Sequence, residues 1–386
     1  MLFRSMEVMD CTVAITKDAG GIVTGCEIWA PTQAPDGLAK TAAPLLGLDP
    51  TLAADMAKIK VNTTYMGGGL GRKIENDTAT QAVKVALALN KPVKLIWPRE
   101  EDFARDWFRP SALSRVIVGL DAAGKIVGWA NRIVSPSLAR SHGRVPAATG
   151  DGISIGGAVK LLYATGPRLV EYVEQLAPNL QIGFWRSVGE SISCFVVESA
   201  IDECALAAGV DPLQYRLNLL GANTPVKNVL QAAATLGGWG TPLAAGRARG
   251  IALSPGFGST AAVVAEIYLN ATGGVVVDQL SCAVDCGVAV NPDQVVSQIE
   301  GGLLHGLSSA RWHKVTLEKG VMKNINFGEY RMGRMADTPK IKVTIVNQGS
   351  ALGGMGEVGV PGVAPALANA YAKLTGTRKR SLPLGV

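Results

Sequence analysis

The sequence of 386 residues is poor in histidine and lacks the short cysteine pairs that commonly bind metals or redox clusters. Only three histidines occur, which excludes zinc sites built from imidazole ligands and the HExxH motif of metalloproteases. The six cysteines form no CxxC pair, and in a chain of this length they do not dictate a disulfide framework. Any metal must therefore be held by something other than histidine side chains.

Long apolar runs and long basic runs are also missing. No stretch of about 18 uninterrupted apolar residues occurs, so the sequence predicts no transmembrane segment. The formal net charge is +6, but charged residues make up only 18% of the chain and no long run of Lys and Arg is present. The charge pattern therefore gives no support to a nucleic-acid partner.

Glycine is the residue that is abundant. Glycine accounts for 46 of the 386 residues, or nearly 12%, against about 7% in an average protein. They follow no fixed period, and 48% of the residues are hydrophobic, which together exclude a collagen-like or disordered chain. A folded protein with many close backbone approaches is expected.

Residue patterns predict alternating strands and helices without the strict βαβ order of a doubly wound sheet. Two antiparallel hairpins are expected around the turns Asp121-Ala-Ala-Gly-Lys125 and Asn270-Ala-Thr-Gly-Gly274. Further strands are predicted at 23–29, 59–65 and 93–97, and helices at 78–89, 191–208, 211–220, 292–307 and 363–374. The sequence therefore indicates the α+β class.

A boundary between two domains is predicted in the segment 221–250, which is rich in Gly, Pro and Thr around one short apolar helix. We expect a first domain at 1–222, a connecting segment at 223–247 and a second domain at 248–386.

The first motif is Gly67-Gly-Gly-Leu-Gly-Arg-Lys73, directly after a predicted strand. Successive glycines allow backbone N–H groups to converge into an anion-binding nest, because no Cβ blocks close approach. The motif matches neither the dinucleotide-binding pattern nor the P-loop. Its alternative interpretation is a flexible turn between a strand and a helix.

The second motif, Gly353-Gly-Met-Gly-Glu-Val-Gly-Val-Pro-Gly362, surrounds one carboxylate with glycines before a predicted helix. Glu357 is a candidate general base on this pattern. The alternative interpretation is a solvated glutamate on a surface turn.

A third set of polar residues lies beside glycine, proline or aromatic residues, as ligand-contacting side chains often do. Its members are Gln33, Arg186, Asp285, Asn291 and Gln298. Each alone could equally be a hydrogen-bonding loop residue or a helix cap.

The sequence Gly152-Ile-Ser-Ile-Gly156 matches the GxSxG nucleophile elbow of hydrolases. Ser154 is therefore a candidate nucleophile of a serine hydrolase, although no clear strand precedes it. This is the remote alternative among the functions considered.

Taken together and in this order, the motifs resemble the molybdopterin-binding large subunit of the xanthine dehydrogenase/aldehyde oxidase family. The resemblance is greatest to the branch typified by the isoquinoline 1-oxidoreductase β subunit, and it corresponds to the C-terminal half of that subunit. It covers nearly the whole chain. The segments that carry it are 5–11, 29–33, 67–73, 185–189, 195–199, 285–302, 353–361 and 375–383.

This resemblance implies two molybdopterin-binding domains with mixed sheets and packed helices. It assigns Glu357 as the catalytic base, while Arg186 and Leu70 would orient the substrate. Leu70 stands where family members commonly have phenylalanine, which reduces an aromatic wall of the substrate pocket. The residues that the resemblance assigns to cofactor binding are Gln33, Gly68, Gly69, Gly71, Gln298 and Gly356.

The implied cofactor is molybdenum bound to molybdopterin, in the cytosine dinucleotide form, with no metal ligand from a protein side chain. The implied reaction oxidises an aldehyde or an N-heteroaromatic compound with oxygen from water. Electrons would pass to [2Fe–2S] clusters on an iron–sulfur small subunit, and the missing N-terminal half of the large subunit is the other expected partner. The alternative is a non-catalytic fragment that serves as a cofactor scaffold.

Overall fold

The computed structural model describes residues 5–147, 149–177, 180–346, 349 and 351–386. Its strands are β1 Asp10–Lys17, β2 Val23–Ala30, β3 Ile59–Thr63, β4 Val93–Ile96, β5 Leu113–Leu120, β6 Ile126–Ser135, β7 Arg168–Glu174, β8 Arg247–Gly256, β9 Ser259–Leu269, β10 Val275–Asp285, β11 Leu317–Glu318, β12 Val321–Met322 and β13 Lys340–Ile345. Its helices are α1 Pro35–Leu45, α2 Ala53–Met56, α3 Asp77–Leu89, α4 Arg99–Arg105, α5 Leu138–Ser141, α6 Gly152–Val159, α7 Glu190–Ala207, α8 Pro212–Leu219, α9 Thr224–Leu236, α10 Pro292–Arg311 and α11 Val363–Thr375.

The chain forms two compact units. The first unit comprises residues 1–109, 179–185 and 315–329. Its mixed sheet has the order β4-β1-β2-β3, in which β1 is antiparallel to β2 and β4, and β3 is parallel to β2. Helices α1 and α3 cover the sheet through their alanine-rich faces, and apolar side chains of β1 and β2 complete the core. Amphipathic spacing thus places the polar sides of both helices in solvent.

The second unit comprises residues 110–178, 186–314 and 330–386. It contains the mixed sheets β5-β6-β7 and β8-β9-β10-β13. Helices α7, α9, α10 and α11 bury the second of these sheets in two apolar clusters. Strand β9 is a nearly continuous run of apolar residues, as expected for a strand that is buried on both faces.

Part of the glycine content serves helix packing rather than ligand binding. A Cβ at Gly250 of β8 would lie 2.2 Å from the carbonyl oxygen of Ala366 in α11. The missing side chain therefore allows α11 to pack directly on the strand backbone, as close packing of protein interiors requires.

The α+β class and both hairpins are confirmed. The Asp121 carboxylate accepts hydrogen bonds from the amides of Ala123 and Lys125, and the Asn270 side chain does the same in the second turn. The elements additional to the expected ones are strands β1, β7, β8, β11, β12 and β13 and helices α1, α2, α4, α5 and α6. Gly376 ends α11 in the left-handed conformation, as expected for a residue at that position.

Candidate functional site

The glycine-rich motif of the first unit forms a tight loop between β3 and a short 3₁₀ turn at Arg72–Ile74. Gly68, Leu70 and Gly71 all adopt positive φ angles, of 109°, 51° and 89°. For a branched side chain such as that of Leu70 this conformation is strained, and backbone strain of this kind is concentrated at functional sites. The Leu70 side chain is half-buried in the loop.

Two amides of this loop are already paired within the protein. The N–H of Gly67 donates to the Glu7 carboxylate at 2.6 Å, and the N–H of Gly71 donates to Oε1 of Gln33 at 3.1 Å. Among the described residues, the successive amides of Gly68, Gly69 and Leu70 have no acceptor. Three consecutive free N–H groups are the donor set that an anionic group needs.

Gln33 lies just beyond the end of β2 and is clamped against the loop. Its backbone N–H donates to the carbonyl of Lys73 at 2.8 Å, and a Cβ at Gly69 would lie 2.6 Å from its side chain. Because its Oε1 accepts from Gly71, the side-chain amide N–H₂ is the part left to donate to a ligand. The structure therefore brings the predicted Gln33, Gly69 and Gly71 together.

Sequence reasoning missed two residues that hold this loop. The Glu7 carboxylate pairs with the Lys73 ammonium group, and the Lys73 side chain is 1% exposed. The Ser5 hydroxyl donates to the carbonyl of Gly68 at 2.9 Å. The sequence shows only that Lys73 follows the glycine run; its burial, which requires a paired partner, is visible only in the structure.

We expect Gly71→Ala to destabilise the first unit more than an ordinary glycine substitution. A Cβ at Gly71 would lie 2.7 Å from the carbonyl oxygen of Phe184, in addition to the cost of about 1–2 kcal/mol for a left-handed non-glycine residue. The measurement is the denaturant midpoint of unfolding. Gly47→Ala is the matched control, because Gly47 also has a positive φ but open space around its Cβ position. Equal losses in the two variants would contradict the clash.

The second group of predicted residues lies in the second unit and is held together by Arg186. Its Nε donates to the carbonyl of Gly356 at 2.5 Å, and its Nη2 donates to the carbonyl and Oε1 of Gln298 at 3.2 and 3.1 Å. The Arg186 side chain is buried, whereas Gln298 and Gly356 are exposed. As at Gln33, the oxygen of the Gln298 carboxamide is engaged and its N–H₂ is left to donate.

Glu357 follows directly in the same loop and is half-buried. The N–H of Ser187 donates to its Oε2 at 3.2 Å, and the Ser187 hydroxyl donates to its carbonyl at 2.7 Å. Burial raises the pKa of the Glu357 carboxyl, against the opposing effects of the Ser187 hydrogen bond and the Arg186 charge. A carboxylate whose pKa is moved towards neutrality is suited to act as a general base.

Ser187 was not singled out from the sequence, although it contacts Glu357 twice. Ser187 and Val188 have consecutive positive φ values of 77° and 46°. Gly189 then begins the turn into α7, where a Cβ would lie 2.6 Å from the carbonyl of Ile153. The strained turn aims the Ser187 amide at the carboxylate, and no local sequence pattern indicates this arrangement.

Glu190 is a second half-buried carboxylate beside this group. Its side chain lies against α6, where a Cβ at Gly156 would be 2.6 Å from Oε1. Burial raises the pKa of Glu190, partly offset by the charge of Lys160, and the negative charge of Glu190 in turn raises the pKa of Glu357. The protonation of the two carboxylates is therefore coupled.

Small residues of α10 let the Glu357 loop approach. A Cβ at Gly302 would lie 3.2 Å from Cα of Gly359, and one at Gly306 would lie 2.8 Å from the carbonyl of Val360. These glycines thus serve packing. Asn291 caps α10 by accepting from the amide of Gln294 at 3.1 Å, which is the structural role that its position allowed.

The interpretation of Ser154 as a hydrolase nucleophile is wrong. Ser154 lies inside helix α6, which Asp151 caps, and is not in a turn between a strand and a helix. Its hydroxyl is buried, donates to the Asp151 carboxylate at 2.8 Å and accepts from the amide of Leu138 at 3.1 Å. Because its hydroxyl is buried and already donates one hydrogen bond and accepts another, Ser154 is not an exposed nucleophile.

The described residues contain no group of three or more His, Cys, Asp or Glu side chains placed to hold a metal ion. The donors that they do present, which are three loop amides, two carboxamide N–H₂ groups and the Arg186 guanidinium, all suit an anionic or oxygen-rich ligand. No helix in the described part of the chain is long and apolar enough to cross a membrane. The residues fit a metal that is carried by a bound organic cofactor.

Comparison with known proteins identifies the class. Models of the molybdopterin cofactor-binding domain match residues 5–219 and 247–339. The chain therefore belongs to the molybdopterin cofactor-binding proteins of the xanthine dehydrogenase/aldehyde oxidase family.

Among individual relatives, the chain is 31% identical to the isoquinoline 1-oxidoreductase subunit β of Brevundimonas diminuta, over 93% of this chain and 46% of the relative. It is 29% identical to a membrane-bound aldehyde dehydrogenase (pyrroloquinoline-quinone) of Gluconacetobacter polyoxogenes, over 87% of this chain and 48% of the relative. The fold matches the crystal structure of quinoline 2-oxidoreductase from Pseudomonas putida 86 with a TM-score of 0.79 at 13% identity, covering 98% of this chain and 73% of that one. The chain thus spans about half the length of these two curated relatives.

Proposed function

We propose that this chain is the molybdenum-binding part of an oxidoreductase that oxidises an aldehyde or an N-heteroaromatic compound with water-derived oxygen. The observation that carries the proposal is the half-buried Glu357 carboxylate, with its raised pKa, held by Ser187 in the glycine-rich loop that Arg186 fixes. When bound, the molybdenum–molybdopterin group would supply a two-electron acceptor and the activated oxygen.

The residues divide into distinct tasks under this proposal. Glu357 takes up the proton on its carboxylate, and Arg186 fixes the loop and orients the substrate. The half-buried Leu70 forms an aliphatic rather than aromatic wall of the substrate pocket. Such a wall weakens selection by ring stacking and favours acceptance of aliphatic aldehydes.

In the first unit, the free amides of Gly68 and Gly69, together with Gly71 and the N–H₂ group of Gln33, would bind a molybdopterin cofactor. In the second unit, the N–H₂ group of Gln298 would donate to such a cofactor. Gly356 has open space at its Cβ position, so its backbone can be approached closely by a ligand. A pyrophosphate matches the set of free backbone donors, which supports a dinucleotide form of the cofactor, and the cytosine base is proposed from the family resemblance alone.

The partners proposed are an iron–sulfur subunit carrying [2Fe–2S] clusters, which receives the electrons, and the remainder of the large subunit. We also propose 1–222 and 248–386 as the limits of the two cofactor-binding domains, joined by 223–247. The competing candidate is a non-catalytic cofactor scaffold.

The test uses the protein purified from its host together with the subunits that accompany it. Molybdenum per chain and the released pterin nucleotide are measured first. Aldehydes and N-heteroaromatic compounds are then oxidised in ¹⁸O-labelled water. Near-stoichiometric molybdenum and label in the product support the oxidoreductase. A complex that retains its iron–sulfur clusters but contains no molybdenum supports the scaffold instead.

The pH dependence of kcat/KM should show the raised pKa of Glu357. Only the ionised carboxylate accepts a proton, so activity should rise with pH through a midpoint above the ordinary value of 4.5. Glu190→Gln removes a negative charge that raises this pKa, so the midpoint should move to lower pH. A rate profile whose acid limb is the same in the two proteins would contradict the coupling.

A further inference from the structure

The three mixed sheets share one strand order, built around an antiparallel hairpin, and they differ only in whether the first strand of the hairpin has a neighbour on its outer edge. In the first unit, the hairpin β1–β2 is flanked by β3, parallel to β2, and by β4, antiparallel to β1. In the second unit, the hairpin β9–β10 is flanked in the same way by β13 and β8. The hairpin β5–β6 has its parallel neighbour β7, but no strand of the described residues pairs with the other edge of β5.

A groove lies along the unpaired strand β5. Val116, Val118 and Leu120 on one face of β5, together with Phe195 and Ala200 of α7, line a cavity of about 530 Å³. No residue of β5 is buried, whereas the corresponding strand β9 is almost wholly buried. Inside the groove, Ser199 is 8% exposed, and its hydroxyl has no hydrogen-bond partner among the described residues. A side chain of this kind is normally satisfied when its surface is covered.

The opposite face of the same sheet is also apolar and uncovered. Leu113 and Ile117 of β5 are 73% and 57% exposed, and Leu169 of β7 is 54% exposed. Ile117 and Leu169 lie in one row across the sheet, through Ala130 of β6. An open edge strand with apolar residues on both faces is a surface that proteins ordinarily cover or pair.

We propose that β5 receives an additional strand, antiparallel to it, from the part of the large subunit that this chain does not match. The occupant is an extended segment with alternating apolar residues, which fill the groove over Val118, and with an acidic residue near Lys379 at its mouth. The repeated sheet order argues for a strand rather than a helix. The source is argued from length, because more than half of the Brevundimonas relative lies outside the matched region.

Pairing of this kind is β-augmentation, in which main-chain hydrogen bonds give affinity and side-chain pockets give specificity. The inference rests on the proposed function only for the identity of the partner. The proposed docking requires neither a bound cofactor nor catalytic turnover. A failed docking experiment therefore does not count against the proposed activity, and a failed activity test does not count against docking.

The experiment purifies this chain from its host together with the large-subunit part that accompanies it, and measures complex formation and hydrogen exchange. We expect a complex in which amides of β5 exchange at least tenfold more slowly than in the chain alone. Val118→Glu should weaken the complex at least tenfold. Leu169→Glu is the control and should change it less than twofold, because Leu169 lies on β7, and the corresponding strands β3 and β13 of the other two sheets are also edge strands. If Val118→Glu does not fold, the hydrogen-exchange measurement on the unaltered protein tests the proposal by itself.

Three results would overturn the proposal. The first is the absence of any complex with the unaltered chain. The second is a complex in which β5 remains unprotected or which Val118→Glu binds equally well. The third is self-association of this chain that Val118→Glu abolishes, since the occupant would then be a second copy.

Discussion

Glu357→Gln should lower kcat of the cofactor-loaded enzyme by about 10²–10⁴-fold, the range that a positioned general base contributes. Glutamine keeps the shape of the side chain and can still receive the Ser187 hydrogen bond through its carbonyl oxygen. It cannot take up a proton, so the loss isolates proton transfer from loop geometry. Because the buried carboxylate already disfavours its charged form, removing that charge should not destabilise the fold.

The measurement must separate chemistry from cofactor loss. Molybdenum content is determined for each preparation, and kcat is expressed per molybdenum. Glu300→Gln is the matched control, because Glu300 is an exposed glutamate of α10 two residues from Gln298. It should retain full activity. A Glu357→Gln enzyme that is loaded with cofactor and turns over at the parent rate would remove Glu357 from the mechanism.

Local signals in the sequence were sufficient for the two hairpins and most helices. The turns at Asp121 and Asn270 work through side chains that accept from amides two and four residues later, so their chemistry is readable without the fold. Candidate site residues were found because glycine clusters around polar residues are unusual. The contacts that organise them could not be read in this way.

The bond from Arg186 to the carbonyl of Gly356 joins residues 170 positions apart, and the Gly71 bond to Gln33 joins residues 38 apart. Neither end carries a local signature of its partner. Parallel strands β7 and β13 were missed for the same reason, since their pairing with β6 and β10 is set after long connections. The chain also returns to the first unit at 179–185 and 315–329, which composition does not indicate.

Glu198→Ala should destabilise the second unit by about 3–5 kcal/mol, the cost of breaking a buried ion pair on one side. Glu198 of α7 accepts from Nε of Arg216 at 2.8 Å and from the Tyr163 hydroxyl at 2.6 Å, and the Arg216 side chain is fully buried. Burial acts against the Arg216 charge, but Glu198, Tyr163 and Asp202 together outweigh it and raise the pKa of Arg216. Removing the carboxylate leaves the buried guanidinium with only a more distant carboxylate among the described residues, that of Asp202 at 3.8 Å from Nη1.

The matched control is Glu203→Ala, on the same helix, whose carboxylate pairs with the exposed Arg380. Exposed pairs contribute about 0–1 kcal/mol, so the two variants should differ clearly in the denaturant midpoint of unfolding. Similar shifts would contradict the buried-pair argument. Helix α7 begins directly after the strained turn at Ser187, which holds Glu357. Loosening the helix at Glu198 should therefore also lower the molybdenum content of the purified protein, whereas Glu203→Ala should leave it unchanged.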